Sequence, residues 1–209
     1  MGRGAGQASR TPSGKSRQIM VSSVVRQWEE RNGRRALAVW LTGLPASGKS
    51  TLAREVEQAL YQRGIPCYVL DGDVLRRGLN KDLGFSPEDR RENIRRAGEV
   101  AKVLVEAGLL VIGAFISPYA ADRSRVRSLF PEGRFYEVFV DCPPQTCEKR
   151  DPKGHYRKAR QGHLVSFTGI SAPYEAPRSA DLVVPTGNLT VTESSERLLE
   201  FILQRSRIQ

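Results

Sequence analysis

Gly43-Leu44-Pro45-Ala46-Ser47-Gly48-Lys49-Ser50 places two glycines five positions apart, then a lysine and a hydroxyl residue. This is the G-x-x-x-x-G-K-[ST] pattern of a phosphate-binding loop. The glycines allow a tight turn whose N–H groups point inward, and a helix beginning at Lys49 adds its positive dipole end. Lys49 then supplies charge to the β- and γ-phosphates, and the Ser50 hydroxyl suits a magnesium ion. The nucleotide-binding set predicted is Gly43 to Ser50 together with Thr51, with Mg2+ as cofactor, although the same cradle serves GTPase switches, ATP-driven machines and small-molecule kinases.

Asp71-Gly72-Asp73 is the second group with chemistry in it. Placed at the end of a second strand, its carboxylates lie at the carboxyl edge of an open α/β sheet, where ligands of such sheets bind. Asn80-Lys81-Asp82-Leu83 resembles a guanine-reading Asn-Lys-x-Asp, but its aspartate comes one position early. A GTPase therefore fits poorly, a motor ATPase usually needs a longer chain, and a small-molecule kinase fits best.

These residues need a scaffold, and the sequence predicts one. The chain has 209 residues, 39% hydrophobic and 27% charged, a balance that suits one globular domain. Short apolar runs at 36–41, 66–70, 109–115, 134–140 and 180–184 alternate with helical patterns, as βαβ units do. The expected fold is α/β: a P-loop kinase-type parallel five-stranded sheet with helices on both faces and a basic lid. A helix from Pro87 is legible from Ser86 as its cap, Pro87 at its first position and Glu88 and Asp89 in its first turn. Ile94, Ala97, Ala101 and Leu104 form its apolar face, which puts Arg90 and Asn93 near the same stripe at its entrance.

The basic stretch 151–177, rich in Gly and Pro, reads as an active-site lid, with a solvated loop as the alternative. The net charge of +10 has a similar uneven source, since Arg3, Arg10, Lys15, Arg17 and Arg26 lie in an acid-free stretch 1–28. That stretch reads as a disordered tail, or else a transit peptide, ahead of a single kinase domain at 29–209. No apolar run is long enough to span a bilayer. Cys67, Cys142 and Cys147 form no Cys-x-x-Cys pair, which argues against zinc and for a reducing, cytoplasmic setting. His155 and His163 are read as solvent-facing loop residues without a chemical role.

Longer runs carry a family resemblance. Residues 70–80, 83–86 and 90–96, then Phe115-Ile116-Ser117-Pro118-Tyr119, Glu137 to Asp141, Arg150-Asp151-Pro152-Lys153-Gly154, Phe167-Thr168-Gly169-Ile170 and Pro173-Tyr174-Glu175 resemble adenylyl-sulfate kinase. The resemblance implies transfer of the ATP γ-phosphate to the ribose 3′-hydroxyl of adenylyl sulfate and a homodimer; no nucleic-acid or membrane partner is expected. A related kinase for another small hydroxyl compound is the alternative. The resemblance also implies an acceptor site of Asp73, Arg76, Phe85, Arg90, Asn93, Ile116, Ser117, Lys153 and Phe167. The chemistry of those residues agrees: forked guanidinium groups suit a phosphosulfate and aromatic faces suit an adenine. Lys49, Asp71, Asp73 and Ser117 are the expected catalytic positions. Which aspartate serves the metal and which the hydroxyl stays open, and Ser117 is expected to line the site rather than carry phosphate. Val74 stands where the family usually has Asn, and Pro45 where Ser is common.

Overall fold

The computed structural model describes residues 23–208. Its elements in chain order are α1 (Ser23–Asn32), β1 (Ala38–Thr42), α2 (Lys49–Tyr61), β2 (Cys67–Asp71), α3 (Gly72–Leu75), α4 (Pro87–Glu106), β3 (Leu110–Ala114), α5 (Ala120–Arg127), β4 (Phe135–Asp141), α6 (Pro144–Arg150), α7 (His155–Arg160), β5 (Leu182–Pro185) and α8 (Val191–Arg205). The five strands form one parallel sheet in the order β2-β3-β1-β4-β5. Each expected strand is present, most of them displaced by a residue or two.

Two apolar layers flank this sheet, as parallel strands with nearly continuous apolar sequence require. Leu52, Val56 and Leu60 of α2 pack with Leu198 and Ile202 of α8 on one face. Ile94, Ala97 and Ala101 of α4 pack with Val25, Trp40 and Phe115 on the other. Register explains why the chemistry converges. Leu41 of β1 pairs with Ala114 of β3, and Ala114 pairs with Asp71 of β2. The phosphate loop after β1, the aspartates after β2 and the Phe115-to-Pro118 turn after β3 thus leave the sheet at one level.

Helix α4 starts as its sequence dictates, with the Ser86 side chain accepting from the Asp89 amide and Pro87 in the first turn. Two expectations are corrected. Residues 23–28 do not belong to a disordered tail; they open α1, which is anchored by Glu29. That carboxylate is buried, paired with Arg134 and accepting from the Ala36 amide at 2.7 Å. The rest of the basic leader lies outside the described residues. The stretch 151–177 is not structureless either, since α7 lies within it, tied to α6 by an Arg160–Glu148 ion pair of 2.9 Å. His155 accordingly opens a helix, although it and His163 are exposed as expected. No helix among the described residues is long and apolar enough to cross a membrane.

Candidate active site

A cavity of about 1050 Å3 runs from the phosphate loop across the carboxyl edge of the sheet to the entrance of α4 and the 151–177 segment. That exceeds the roughly 300–1,000 Å3 typical of a single small-molecule pocket. It leaves room for a donor and an acceptor side by side.

The phosphate loop joins β1 to α2. A Cβ on Gly43 would stand 2.6 Å from the Val140 carbonyl oxygen, so the backbone approaches too closely for any other residue. Gly48, at φ 106°, caps α2 without a side-chain bond, which leaves the helix's first N–H groups for a ligand. Ala46 holds φ 60°, a left-handed conformation unusual outside glycine. Pro45, Ala46, Gly48, Lys49, Ser50 and Thr51 line the cavity, whereas Gly43, Leu44 and Ser47 stand behind the lining. Leu44 packs beside the buried Cys142, Cys147 and Tyr156, and the Ser47 carbonyl accepts from Thr186 Oγ1 at 2.7 Å.

Lys49 is buried and folds back onto the loop, donating to the carbonyls of Gly43 (2.9 Å) and Leu44 (2.7 Å). Burial lowers the pKa of its amine to about 8, an effect partly offset by the nearby carboxylates of Asp71 and Asp73. Ser50 Oγ donates to Asp71 Oδ2 at 2.6 Å, while Asp71 Oδ1 accepts from the Asp73 amide at 2.8 Å and so caps α3. Asp71 is therefore buried with both oxygens engaged. Asp73 is open to the cavity and pairs with Lys153 from the 151–177 segment. Sequence alone left the two aspartates interchangeable; their surroundings make them different.

Asp73, Arg76, Phe85, Arg90, Asn93, Ile116, Ser117, Lys153 and Phe167 all line the same cavity, so every expected acceptor residue is brought there. Phe85 is 61% exposed and sits under Arg76, whose guanidinium carbon is 4.4 Å from the ring centre. Arg76 also donates to the carbonyls of Leu83 and Gly84. Burial, and the neighbouring Arg90 charge, push its guanidinium below the ordinary arginine range. Arg90 donates to the Phe85 carbonyl at 2.9 Å, to Thr168 Oγ1 at 2.8 Å and to the Ser166 carbonyl. Phe167 differs from Phe85, since its ring packs edge-on to Tyr156 with centroids 4.9 Å apart.

Asn93 Oδ1 accepts from Asn80 Nδ2 at 3.0 Å, deep in the protein. Asp82 pairs with Arg96 at 2.7 Å. Asn80 and Asp82 thus hold α4 and stand outside the cavity lining, which argues against guanine reading by this run. Ser117 is 1% exposed, its Oγ accepts from Trp40 Nε1 at 3.2 Å, and its backbone holds φ 39°. Val74 is 54% exposed at the cavity mouth, and the Pro45 carbonyl accepts from Tyr156.

Sequence reasoning missed the wall formed by Thr186, Leu189, Thr190, Val191 and Ser194. These residues follow β5 and match no motif; their one signal was a place past the carboxyl end of a strand. Arg150, also on this wall, donates to the Thr186 carbonyl at 2.6 Å. Among the described residues no cluster of three or more His, Cys, Asp or Glu could hold a metal, and all three cysteines are free thiols.

The comparison with known proteins agrees with this geometry. Residues 35–185 match the family model for adenylylsulphate kinase. The chain is 58% identical to the adenylyl-sulfate kinase of Geotalea uraniireducens, over 85% of each chain. It is 51% identical to the adenylyl-sulfate kinase of Staphylococcus haemolyticus, over 86% of this chain and 90% of that one. Among solved structures it resembles the APS kinase of Mycobacterium tuberculosis in complex with AMPPNP and APS. That match has a TM-score of 0.77 and 46% identity over 81% of this chain and 98% of that one. A hexameric APS kinase from Thiobacillus denitrificans has a TM-score of 0.62 and 29% identity, over 85% of this chain and 31% of that one. A match that starts ahead of the phosphate-loop strand and ends with β5 spans all the residues expected at the acceptor site. The chain belongs to the adenylylsulphate kinase family.

Proposed function

We propose that the protein transfers the γ-phosphate of ATP to the ribose 3′-hydroxyl of adenylyl sulfate, giving 3′-phosphoadenylyl sulfate. The observation that carries this is one continuous cavity joining the phosphate loop to a wall of two arginines, an asparagine and two phenylalanines. ATP places its phosphates against the loop amides and the first turn of α2, and Lys49 leaves the Gly43 and Leu44 carbonyls to meet them. The O3′ atom attacks the γ-phosphorus while the bond to the β,γ-bridging oxygen breaks. ADP leaves, and the hydroxyl proton passes toward Asp73.

Asp73 suits the hydroxyl because it is the aspartate that opens to the cavity, with Lys153 neutralising its charge. The hydroxyl and carboxylate oxygens of Ser50 and Asp71, hard donors 2.6 Å apart beside the loop, fit Mg2+ and would hold it directly or through waters. When bound, that ion neutralises phosphate charge and helps to align the β- and γ-groups. Arg76 and Arg90 take the phosphosulfate, Phe85 and Phe167 flank the adenine, and Asn93 and Ile116 complete the acceptor wall. Ser117 lines the site without carrying phosphate, in keeping with an Oγ that is buried and engaged by Trp40.

A cytoplasmic setting follows from this reading, since ATP is the donor and the thiols are free. The assembly implied by the resemblance is a homodimer, and sedimentation would distinguish it from the hexamer of the Thiobacillus relative. The function is tested by an acceptor screen that follows ADP release with adenylyl sulfate, gluconate, shikimate and nucleosides at micromolar levels. Adenylyl sulfate alone is expected to stimulate. Stimulation by another alcohol with none by adenylyl sulfate would overturn the assignment.

A further inference from the structure

Arg123 on α5 lies outside the cavity lining and in no motif, yet it is only 3% exposed and spends its whole fork on three separate parts of the chain. Nε donates to Glu137 Oε1 of β4 at 2.5 Å. Nη1 donates to the Ser117 carbonyl at 2.8 Å, and Nη2 to the Glu175 carbonyl at 2.8 Å. A guanidinium this deep needs a counter-charge, which Glu137 provides. Its other two arms are then free to fix backbone, which a planar fork does better than an ammonium.

What it fixes is the turn after β3. Ser117 holds φ 39°, a conformation that persists in a residue other than glycine only where its surroundings enforce it. The Thr42 hydroxyl donates to the Ile116 carbonyl at 2.7 Å and meets Tyr174 Oη at 3.0 Å, so the same turn is also joined to the returning end of the 151–177 segment. Glu175 closes the loop, its amide donating to the Pro118 carbonyl and its carboxylate accepting from the Ala120 amide at the start of α5.

We propose that Arg123, held by Glu137, is a positioning residue for the acceptor. It sets the Ile116-Ser117 wall and ties that wall to the end of the basic segment at Glu175. This rests on the reading that Ile116 and Ser117 face adenylyl sulfate, and the three hydrogen bonds of the Arg123 side chain go to Glu137, Ser117 and Glu175, none of them in the phosphate loop.

The test is steady-state kinetics of the full chain carrying Arg123→Lys or Glu137→Gln, with KM measured separately for adenylyl sulfate and for ATP, alongside melting temperature. Arg123→Lys keeps the charge but cannot hold both carbonyls, so its KM for adenylyl sulfate should rise about tenfold with KM for ATP unchanged. Glu137→Gln should move the same constant in the same direction by a smaller factor. A folded variant in which both KM values rise together, or neither moves, overturns the proposal; so does failure of both variants to fold, which would make the cluster purely structural. If wild type itself shows no turnover with adenylyl sulfate, it is the functional assignment that fails, and the two failures are distinguishable.

Discussion

Arg90 Nη1 donates to Thr168 Oγ1 across 2.8 Å, joining the first turn of α4 to a residue 78 positions later. The same guanidinium holds the Ser166 and Phe85 carbonyls. An arginine read from sequence as an anion ligand is thus also the clasp between the acceptor wall and the basic segment. Arg90→Lys keeps the charge and loses the fork. Its KM for adenylyl sulfate should rise about tenfold or more, with KM for ATP little changed. Equal kinetics in variant and wild type would deny Arg90 both roles.

Ser50 and Asp71 form the donor-side pair, with the hydroxyl 2.6 Å from the carboxylate. Ser50→Ala removes one oxygen donor and leaves Asp71 without that hydrogen bond. Turnover should fall roughly 10–100-fold, as when a metal site loses a supporting group, and the Mg2+ concentration giving half-maximal rate should rise. An unchanged Mg2+ titration would place the metal elsewhere.

Lys49 gives a pH dependence with a definite sign. Its amine is held near 8 by burial, well below an ordinary lysine, so in the free enzyme it is cationic below that pH and neutral above it. Phosphate binding requires the cation. Affinity for ATP measured by calorimetry should therefore weaken as pH rises through about 8, with uptake of a proton on binding at the higher pH. A flat profile from pH 7 to 9.5 would contradict it.

Glu29 tests the fold without touching the site. Its carboxylate pairs with Arg134, which also donates to the Ala36 carbonyl at 2.8 Å, and both side chains are buried. Glu29→Ala strands the guanidinium and should lower unfolding free energy by about 3–5 kcal/mol, measured by urea denaturation. A loss well under 1 kcal/mol would mean that α1 is held by its apolar contacts alone.

Much of this was legible beforehand, for identifiable reasons. The phosphate loop could be read because close approach demands Gly43 and a left-handed cap demands Gly48. Strand order could not, because hydrophobic runs give strands but not neighbours; register is what brings Asp71 level with Ala114 and Leu41. The start of α4 was written in Ser86, Pro87 and Asp89, whereas α7 was hidden in a polar stretch whose buried contacts reduce to Tyr156 and Ala159. The aspartates could be named but not told apart, since their difference lies in Ser50 on one side and in Lys153, 80 residues away, on the other. Arg123 matched no motif, because its role depends on Glu137 and Glu175, which lie 14 and 52 residues further along the chain.

The central claim is that phosphate moves from ATP to the 3′-hydroxyl of adenylyl sulfate, and the product itself tests it most directly. Wild type and Lys49→Ala are incubated with ATP, Mg2+ and adenylyl sulfate, and the nucleotide product is examined by mass spectrometry and phosphorus NMR. Wild type should yield one equivalent of 3′-phosphoadenylyl sulfate per ADP, and Lys49→Ala about 100-fold less or lower. ADP formed without a 3′-phosphorylated product, or phosphate found at another position, would contradict the account.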